Sequence, residues 1–335
     1  MKKLKIGLIG CGGRAQSHMS SFVKMSEDVQ VVAVADPIEQ RRMNAAKMFG
    51  CEHIYRNHTE LLDDEGGNLD ALVICVEPTA HDEGMELRAA EMGIPFLVEK
   101  PMTLDLDLAD RVAAAIEAKG LITSVGFQDR YQDLTDIIMA EMPKHKIGGL
   151  VYGAWVGGIP GVWWWQKKSD CGGQLVEQNI HLVDELRYLF GEPLSVYATA
   201  STGIVKPGVN SWKEYDTDDH STAVIRFENN ITATLVSGCY ITGCRPRCGL
   251  YIVLEDIIFD YRLRNNLIIE TPKETRDIRR MADQTYTLDE AFIKAVQTGD
   301  KSLIRSDYSD ALKSLKLAFA ANKSMETGEV IYFDR

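Results

Sequence analysis

Positive charge is in deficit: 37 Lys and Arg stand against 49 Asp and Glu, leaving a net charge of -12. Nucleic acid and anionic membranes need clustered cations that displace counterions, so neither is expected as a partner. The short stretch Lys144-His145-Lys146 does not reverse that balance. Long apolar runs are missing as well, and none approaches the roughly 18 residues of a membrane span. Met1-Lys2-Lys3 followed by Leu8-Ile9-Gly10-Cys11 imitates a lipoprotein leader, but its apolar stretch is shorter than the roughly 7 to 15 residues such a leader needs. Cysteine is sparse and odd in number, at seven residues. Without an export signal this predicts reduced thiols and a cytoplasmic location. Cys239, Cys244 and Cys248 cluster but form no CxxC pair, so no metal site is expected there.

What is present begins with length. A chain of 335 residues exceeds one typical core and predicts about two domains, drawn here as 1–125 and 126–335. Residues 5–9 form an apolar strand that runs into Gly10-Cys11-Gly12-Gly13-Arg14-Ala15, and a helix follows over 15–25. Gly10 permits the tight turn, Gly12 lets the backbone approach a pyrophosphate, and Ala15 lets helix and strand pack closely. Residues 31–35 make a second strand ending in Asp36, placed to hold ribose hydroxyls. A carboxylate there favours NAD over NADP, although Arg41 and Arg42 lie close by in the chain. A third strand over 70–76 delivers Val76, Glu77, Pro78 and His81 at its carboxyl end; His81 either touches the cofactor or caps the helix expected over 82–92. Residues 93–101 form a short strand leading to Glu99-Lys100-Pro101. Strands of a doubly wound sheet bind ligands at that end, which makes Lys100 a catalytic candidate, with a solvated lysine as the bland alternative. A helix over 104–119 and a strand over 121–125 complete the alternation, which implies a parallel sheet.

From about residue 150 the texture becomes β-rich. Strands over 221–227 and 231–236 flank Asn229-Asn230, and strands over 252–261 and 267–269 flank Asn265-Asn266; paired asparagines suit hairpin turns. An open, mainly antiparallel sheet follows, with helices on one face. A second subunit covering the other face would make a homodimer or homotetramer. One helix begins at Gly172-Gly173 and carries Glu177, His181 and Asp184 at i, i+4 and i+7. On one helix face these side chains suit a general base with orienting carboxylates; a polar surface stripe and a single-histidine metal site are the alternatives. Of Trp163-Trp164-Trp165, one is expected beside a sugar-like substrate, with Trp163 the candidate, and the others in core or interface.

Taken in order, the Gly10 to Ala15 fingerprint, Asp36, Glu99-Lys100-Pro101, Val125-Gly126-Phe127-Gln128, Gly172-Gly173 with Glu177 and His181, and the stretch from Phe292 through Asp307-Tyr308 and Ala311-Leu312 to Gly328 resemble the glucose-fructose oxidoreductase, inositol dehydrogenase and MocA family. The resemblance covers nearly the whole chain. It implies an N-terminal Rossmann domain, a C-terminal α/β domain whose final helix packs back on the first, bound NAD(P), and redox chemistry on sugars, polyols or related alcohols. It also implies that Lys100 is the active-site lysine and His181 the active-site histidine, and it extends the candidate cofactor contacts to Cys11, Gly13, Arg14, Glu99 and Gln128. Glu177 falls where aspartate is usual and Asn179 where a small residue is common, and both departures bear on substrate choice. The expected reaction moves hydride between nicotinamide and a secondary alcohol: His181 takes the hydroxyl proton, Lys100 stabilises the oxygen, and Glu177 or Asp184 orients ring or substrate. Glycoside cleavage through transient oxidation, and non-catalytic cofactor-binding regulation, are the rival expectations.

Overall fold

The computed structural model describes residues 2–146 and 148–333. The chain forms two compact units, Met1–Tyr131 with Asp283–Leu312, and Gln132–Ala282 with Lys313–Arg335. The first boundary lies six residues beyond the expected 125, and the first unit also takes in a segment from far down the chain.

In the first unit, strands β1 (Leu4–Ile9), β2 (Val29–Ala35), β3 (His53–Tyr55), β4 (Ala71–Ile74), β5 (Phe96–Val98) and β6 (Thr123–Val125) form a parallel sheet in the order β3-β2-β1-β4-β5-β6. Helices α1 (Gly13–Lys24), α2 (Glu39–Phe49), α3 (His58–Glu65), α4 (Met85–Met92) and α5 (Leu106–Lys119) connect them. All four residues of β4 and all three of β5 are buried, as expected of strands covered on both faces. The strand order reverses beside β1, so the carboxyl ends of β1 and β4 open on the crevice where such sheets bind ligands.

Two expectations are corrected here. Residues Pro78–Glu83 form a 3₁₀ turn, so the helix expected over 82–92 starts only at Met85. Lys100 follows the fifth strand rather than the fourth, because β3 is a three-residue edge strand too short to show a period.

The second unit opens with α6 (Asp133–Glu141), β7 (Gly149–Val156), α7 (Lys168–Cys171), α8 (Gln174–Glu177) and α9 (Ile180–Phe190). It continues through β8 (Pro193–Ser201), β9 (His220–Phe227), β10 (Ile231–Gly238), β11 (Arg247–Val253), β12 (Ile258–Arg262), β13 (Asn266–Glu270) and β14 (Thr275–Arg279). Helix α10 (Gln284–Thr298) belongs to the first unit, where Leu288, Phe292 and Ile293 pack with Ala15, Met19 and Phe22 of α1. Helix α11 (Tyr308–Thr327) contains the third boundary, after Leu312, and β15 (Ile331–Tyr332) is the last element.

The nine strands of the second sheet run β14-β13-β12-β11-β7-β10-β9-β8-β15, antiparallel except for the pair β7 and β10. On one face, Leu134 and Ile138 of α6, Leu182 and Leu186 of α9, and Leu317 and Ala321 of α11 pack against Ala233, Leu235, Ile252 and Phe259. Asn229 and Asn230 both take positive φ, at 58° and 61°, and close the β9–β10 hairpin as expected. The strand expected over 252–261 is instead two, because the chain reverses between β11 and β12. In the next turn the left-handed residue is Arg264, at φ 61°, while Asn266 lies within β13.

Gly249 combines φ +149° with close backbone approach: a Cβ there would lie 2.0 Å from the Tyr261 carbonyl oxygen. Gly249→Ala is therefore expected to destabilise the protein by about 1–3 kcal/mol in denaturant titration, by forcing β11 away from β12. An unchanged midpoint would show that the ladder yields freely.

Candidate active site

At the carboxyl end of β1, Gly10 adopts φ +84°, and a Cβ there would lie 2.1 Å from the Cys75 carbonyl oxygen. Only glycine fits a loop pressed this closely on the end of β4. Gly12 then caps α1 without any side-chain hydrogen bond, and a Cβ on Gly13 would meet nothing within 4 Å. An uncapped helix start beside open space suits a pyrophosphate, so the residues fit a dinucleotide. The Asp36 carboxylate accepts the Cys11 N–H at 2.8 Å on one oxygen and the Ile38 N–H at 2.8 Å on the other. It thereby ties the glycine loop to β2, and each oxygen keeps a lone pair for a ribose hydroxyl. Arg42 donates to the carbonyls of Asp36 and Pro37. A guanidinium nitrogen of Arg41 lies 3.6 Å from the point a Cβ on Gly12 would occupy, so of the two arginines it is the one beside the loop.

The carboxyl end of β5 is held by a buried chain of charges. Glu99 Oε1 accepts from Arg14 Nε at 2.7 Å and lies 3.0 Å from His18 Nε2. His18 Nδ1 lies 2.6 Å from Asp289 Oδ1 on α10. Glu99 Oε2 accepts the backbone N–H of Lys100 at 3.2 Å. Burial opposes charge on Glu99, yet Arg14 and His18 outweigh it and pull the carboxyl down to about 2. Burial likewise opposes charge on His18, but the Asp289 carboxylate and the bond to Glu99 raise the imidazole to about 9. Gln128 joins the cluster by accepting from Arg14 Nη2 at 3.3 Å.

Several expected cofactor contacts also make bonds within the protein. The Glu99 carboxylate is engaged with Arg14, His18 and the Lys100 N–H, which makes it an anchor. Cys11 is buried, its thiol pushed up to about 12 by burial, and its N–H goes to Asp36. His81 is 1 % exposed and its Nδ1 lies 2.5 Å from Glu86 Oε1, so it braces the turn into α4. Val76 and Glu77 remain half-exposed at the end of β4, while Pro78 is buried.

In the second unit, Gly172 and Gly173 take φ 76° and 85° and start α8. The single helix expected to carry Glu177, His181 and Asp184 is broken after Glu177, and α9 restarts at Ile180 with Asn179 as its cap. The i, i+4, i+7 face is therefore not continuous. Asp184 is 1 % exposed and accepts from Ser314 Oγ at 2.6 Å, and Ser314 Oγ in turn accepts from Arg187 at 2.7 Å. This buried set holds α9 against α11. Glu177 is half-buried at the break.

His181 lies flat against Trp155 of β7, with ring centroids 5.6 Å apart and planes at 17°. The Arg264 guanidinium also approaches that indole, 5.6 Å from its centroid. Gln174 donates to the Trp155 carbonyl at 3.4 Å, and Asn179 donates to Ser237 Oγ at 2.5 Å, next to Trp155 in the sheet register. Trp163 is 51 % exposed and Trp165 is buried with Cys171 and Cys239. Sequence reasoning singled out the triple tryptophan and missed Trp155, whose only signal is one bulky aromatic in a β-rich stretch.

The charges around Glu99 set a pH dependence. Because His18 is raised above its ordinary 6.5, its stabilisation is complete below pH 6.5 and is lost as pH rises through about 9. Glu99, lowered from 4.5, contributes above pH 4.5 and is lost as pH falls through about 2. The thermal midpoint is expected to fall between pH 6.5 and 9, and His18→Gln is expected to flatten that limb. Equal slopes in the two proteins would exclude His18 as its source.

The comparisons with known proteins agree with this geometry. A family described as "Oxidoreductase family, NAD-binding Rossmann fold" matches residues 4–127, and "GFO/IDH/MocA C-terminal domain" matches residues 150–253. The chain is 24 % identical to the scyllo-inositol 2-dehydrogenase (NAD(+)) of Bacillus subtilis, over 99 % of this chain and 97 % of that protein. It is 23 % identical to the myo-inositol 2-dehydrogenase of Thermotoga maritima, over 96 % of each. A solved levoglucosan dehydrogenase in complex with NADH and L-sorbose shares the fold with a TM-score of 0.86 at 20 % identity, covering 100 % of both chains. With the dinucleotide loop, the carboxylate after β2 and both family regions in order, the chain belongs to the GFO/IDH/MocA oxidoreductase family.

Proposed function

We propose that the protein is an NAD-dependent dehydrogenase acting reversibly on a secondary alcohol of a sugar, polyol or related compound. The observation that carries this reading is the first unit's pairing of an uncapped glycine loop and the Asp36 carboxylate at the end of β2 with Lys100, whose backbone N–H is received by Glu99. NAD supplies the hydride acceptor when bound. Gly12, Gly13 and Asp36 hold the dinucleotide, and Lys100 stabilises the oxygen of the reacting carbon. His181, flat on Trp155, receives the hydroxyl proton. Glu177 lies at the break that presents His181 and orients the substrate, and Trp163 offers a ring to its apolar face. The first unit is the cofactor domain and the second binds substrate.

The decisive measurement is NADH formation from NAD⁺ across a panel of inositols, sugars and sugar acids. At least one is expected to react. Lys100→Ala and His181→Ala are each expected to lower turnover by roughly 10²–10⁴-fold while NAD affinity stays within about threefold. No turnover across the panel, or full turnover in either variant, would overturn the corresponding assignment.

The open face of the second sheet supports self-association. Tyr197, Val224, Thr234, Tyr152 and Tyr251 form one cross-strand row, with Leu150 exposed two residues from Tyr152. Such a surface is stabilised by a second copy, in a homodimer or homotetramer. No helix among the described residues is long and apolar enough to cross a membrane, and no disulfide links the seven cysteines; both accord with a cytoplasmic enzyme. Sedimentation of the native protein is expected to give a dimer or tetramer, and Tyr152→Glu to give monomer. A native monomer would remove the assembly from this reading.

A further inference from the structure

A cluster of buried charges adjoins the backbone of Lys100. His18 and Asp289 are both fully buried, and Asp289 Oδ1 meets His18 Nδ1 at 2.6 Å while Oδ2 has no hydrogen-bond partner. Isolating a carboxylate in this way is costly, and a buried ion pair is commonly no more stabilising than apolar residues of the same volume. What the pair does geometrically is specific. His18 bridges Asp289 to Glu99 Oε1, the oxygen that also receives Arg14, and Glu99 Oε2 receives the Lys100 N–H. Cys75 faces the same cluster, but burial holds its thiol neutral and it adds no charge. The Glu99 carboxylate cannot drift toward β6, because Gly126 lies there so close that a Cβ would approach it to 2.3 Å.

We propose that His18 and Asp289 are positioning residues for Lys100, acting through Glu99, and that the same carboxylate ties Arg14 and the dinucleotide loop to that anchor. The proposal rests on the reading of Lys100 as a group that acts in the reaction. It adds that the placement of the lysine is set from the far side of α1, by a residue of α10.

The test uses the full-length protein and the variants Asp289→Asn and His18→Gln, each checked for folding by thermal unfolding, with two readouts. Without substrate, the acetylation rate of Lys100 by acetic anhydride is read by mass spectrometry against exposed Lys3. Asp289→Asn is expected to raise it at least about threefold, since a loosened Glu99 no longer fixes the residue. With the best alcohol from the panel, Asp289→Asn is expected to lower kcat at least about tenfold, and to lower it less than about twofold further in the Lys100→Ala background. Non-additivity of that kind separates positioning of Lys100 from general destabilisation, which would add to both backgrounds. Unchanged Lys100 labelling in a folded variant overturns the proposal, and so does a fully additive kcat loss. Should Lys100→Ala keep full turnover, the catalytic reading of Lys100 fails, while the labelling arm still decides whether Asp289 fixes its position. If one variant does not fold, the other carries both readouts.

Discussion

One buried carboxylate organises the first unit. Glu99 is taken out of water at the end of a fully buried strand, and removal of an ion from water costs several kcal/mol unless its partners are well placed. Arg14, His18 and the Lys100 N–H answer that demand from three directions. Each answer constrains something else. Arg14 must stand in the first turn of α1, immediately after the glycine loop. His18, one turn later on the same face, must bring Asp289 from α10. Residue 126 must carry no side chain, because a Cβ would fall 2.3 Å from the carboxylate. The loop that suits a dinucleotide and the lysine suited to the reacting oxygen are thus fixed by one ion rather than by two separate devices.

The second unit solves its placement problem with an aromatic wall. β7 is central in the sheet, paired with β10 and β11, so Trp155 has little freedom to move. Gln174 and Asn179, on either side of the helix break, fasten to the Trp155 carbonyl and to Ser237. The break lets the imidazole of His181 lie parallel to the indole instead of projecting from a straight helix. Asn179, a departure from the family pattern, has a local reason: its amide requires the Ser237 hydroxyl, and the two form one fixture. Glu177 ends α8 at the same corner, so its longer arm acts from the point where the backbone turns.

These particulars show which parts of the structure the sequence could announce. The glycine loop, Asp36 and the strand before Lys100 are readable because each is a local pattern with a local cause: a turn, a helix start, a buried run. The nine-stranded sheet is readable as a class, since alternation and paired asparagines mark hairpins, but the reversal within 252–261 is not, because Glu255-Asp256 mark the turn without the glycine, proline or asparagine that usually signals one. The helix face of Glu177, His181 and Asp184 failed for a similar reason. Periodicity assumes an unbroken helix, whereas tertiary bonds from Asn179 and Gln174 override it. The bond of Asp184 to Ser314, far along the chain, has no local signal in the sequence either.

Asp289 is the extreme case, because no local pattern links it to His18 across 271 residues. Its presence in the first unit requires the chain to pass through residues 132–282, which belong to the other unit, and then return. The entropy of closing so long a loop grows only logarithmically with length, so the detour is thermodynamically tolerable. What it demands is a strong contact at the return. The apolar face of α10 supplies most of that, through Leu288, Phe292 and Ile293 against α1. Asp289 lies on the same helix beside Leu288, so apolar docking also delivers the carboxylate to His18. Until α10 docks, His18 lacks the anion that keeps it charged and Glu99 lacks its imidazolium. Docking of α10 therefore also completes the charge cluster around Glu99.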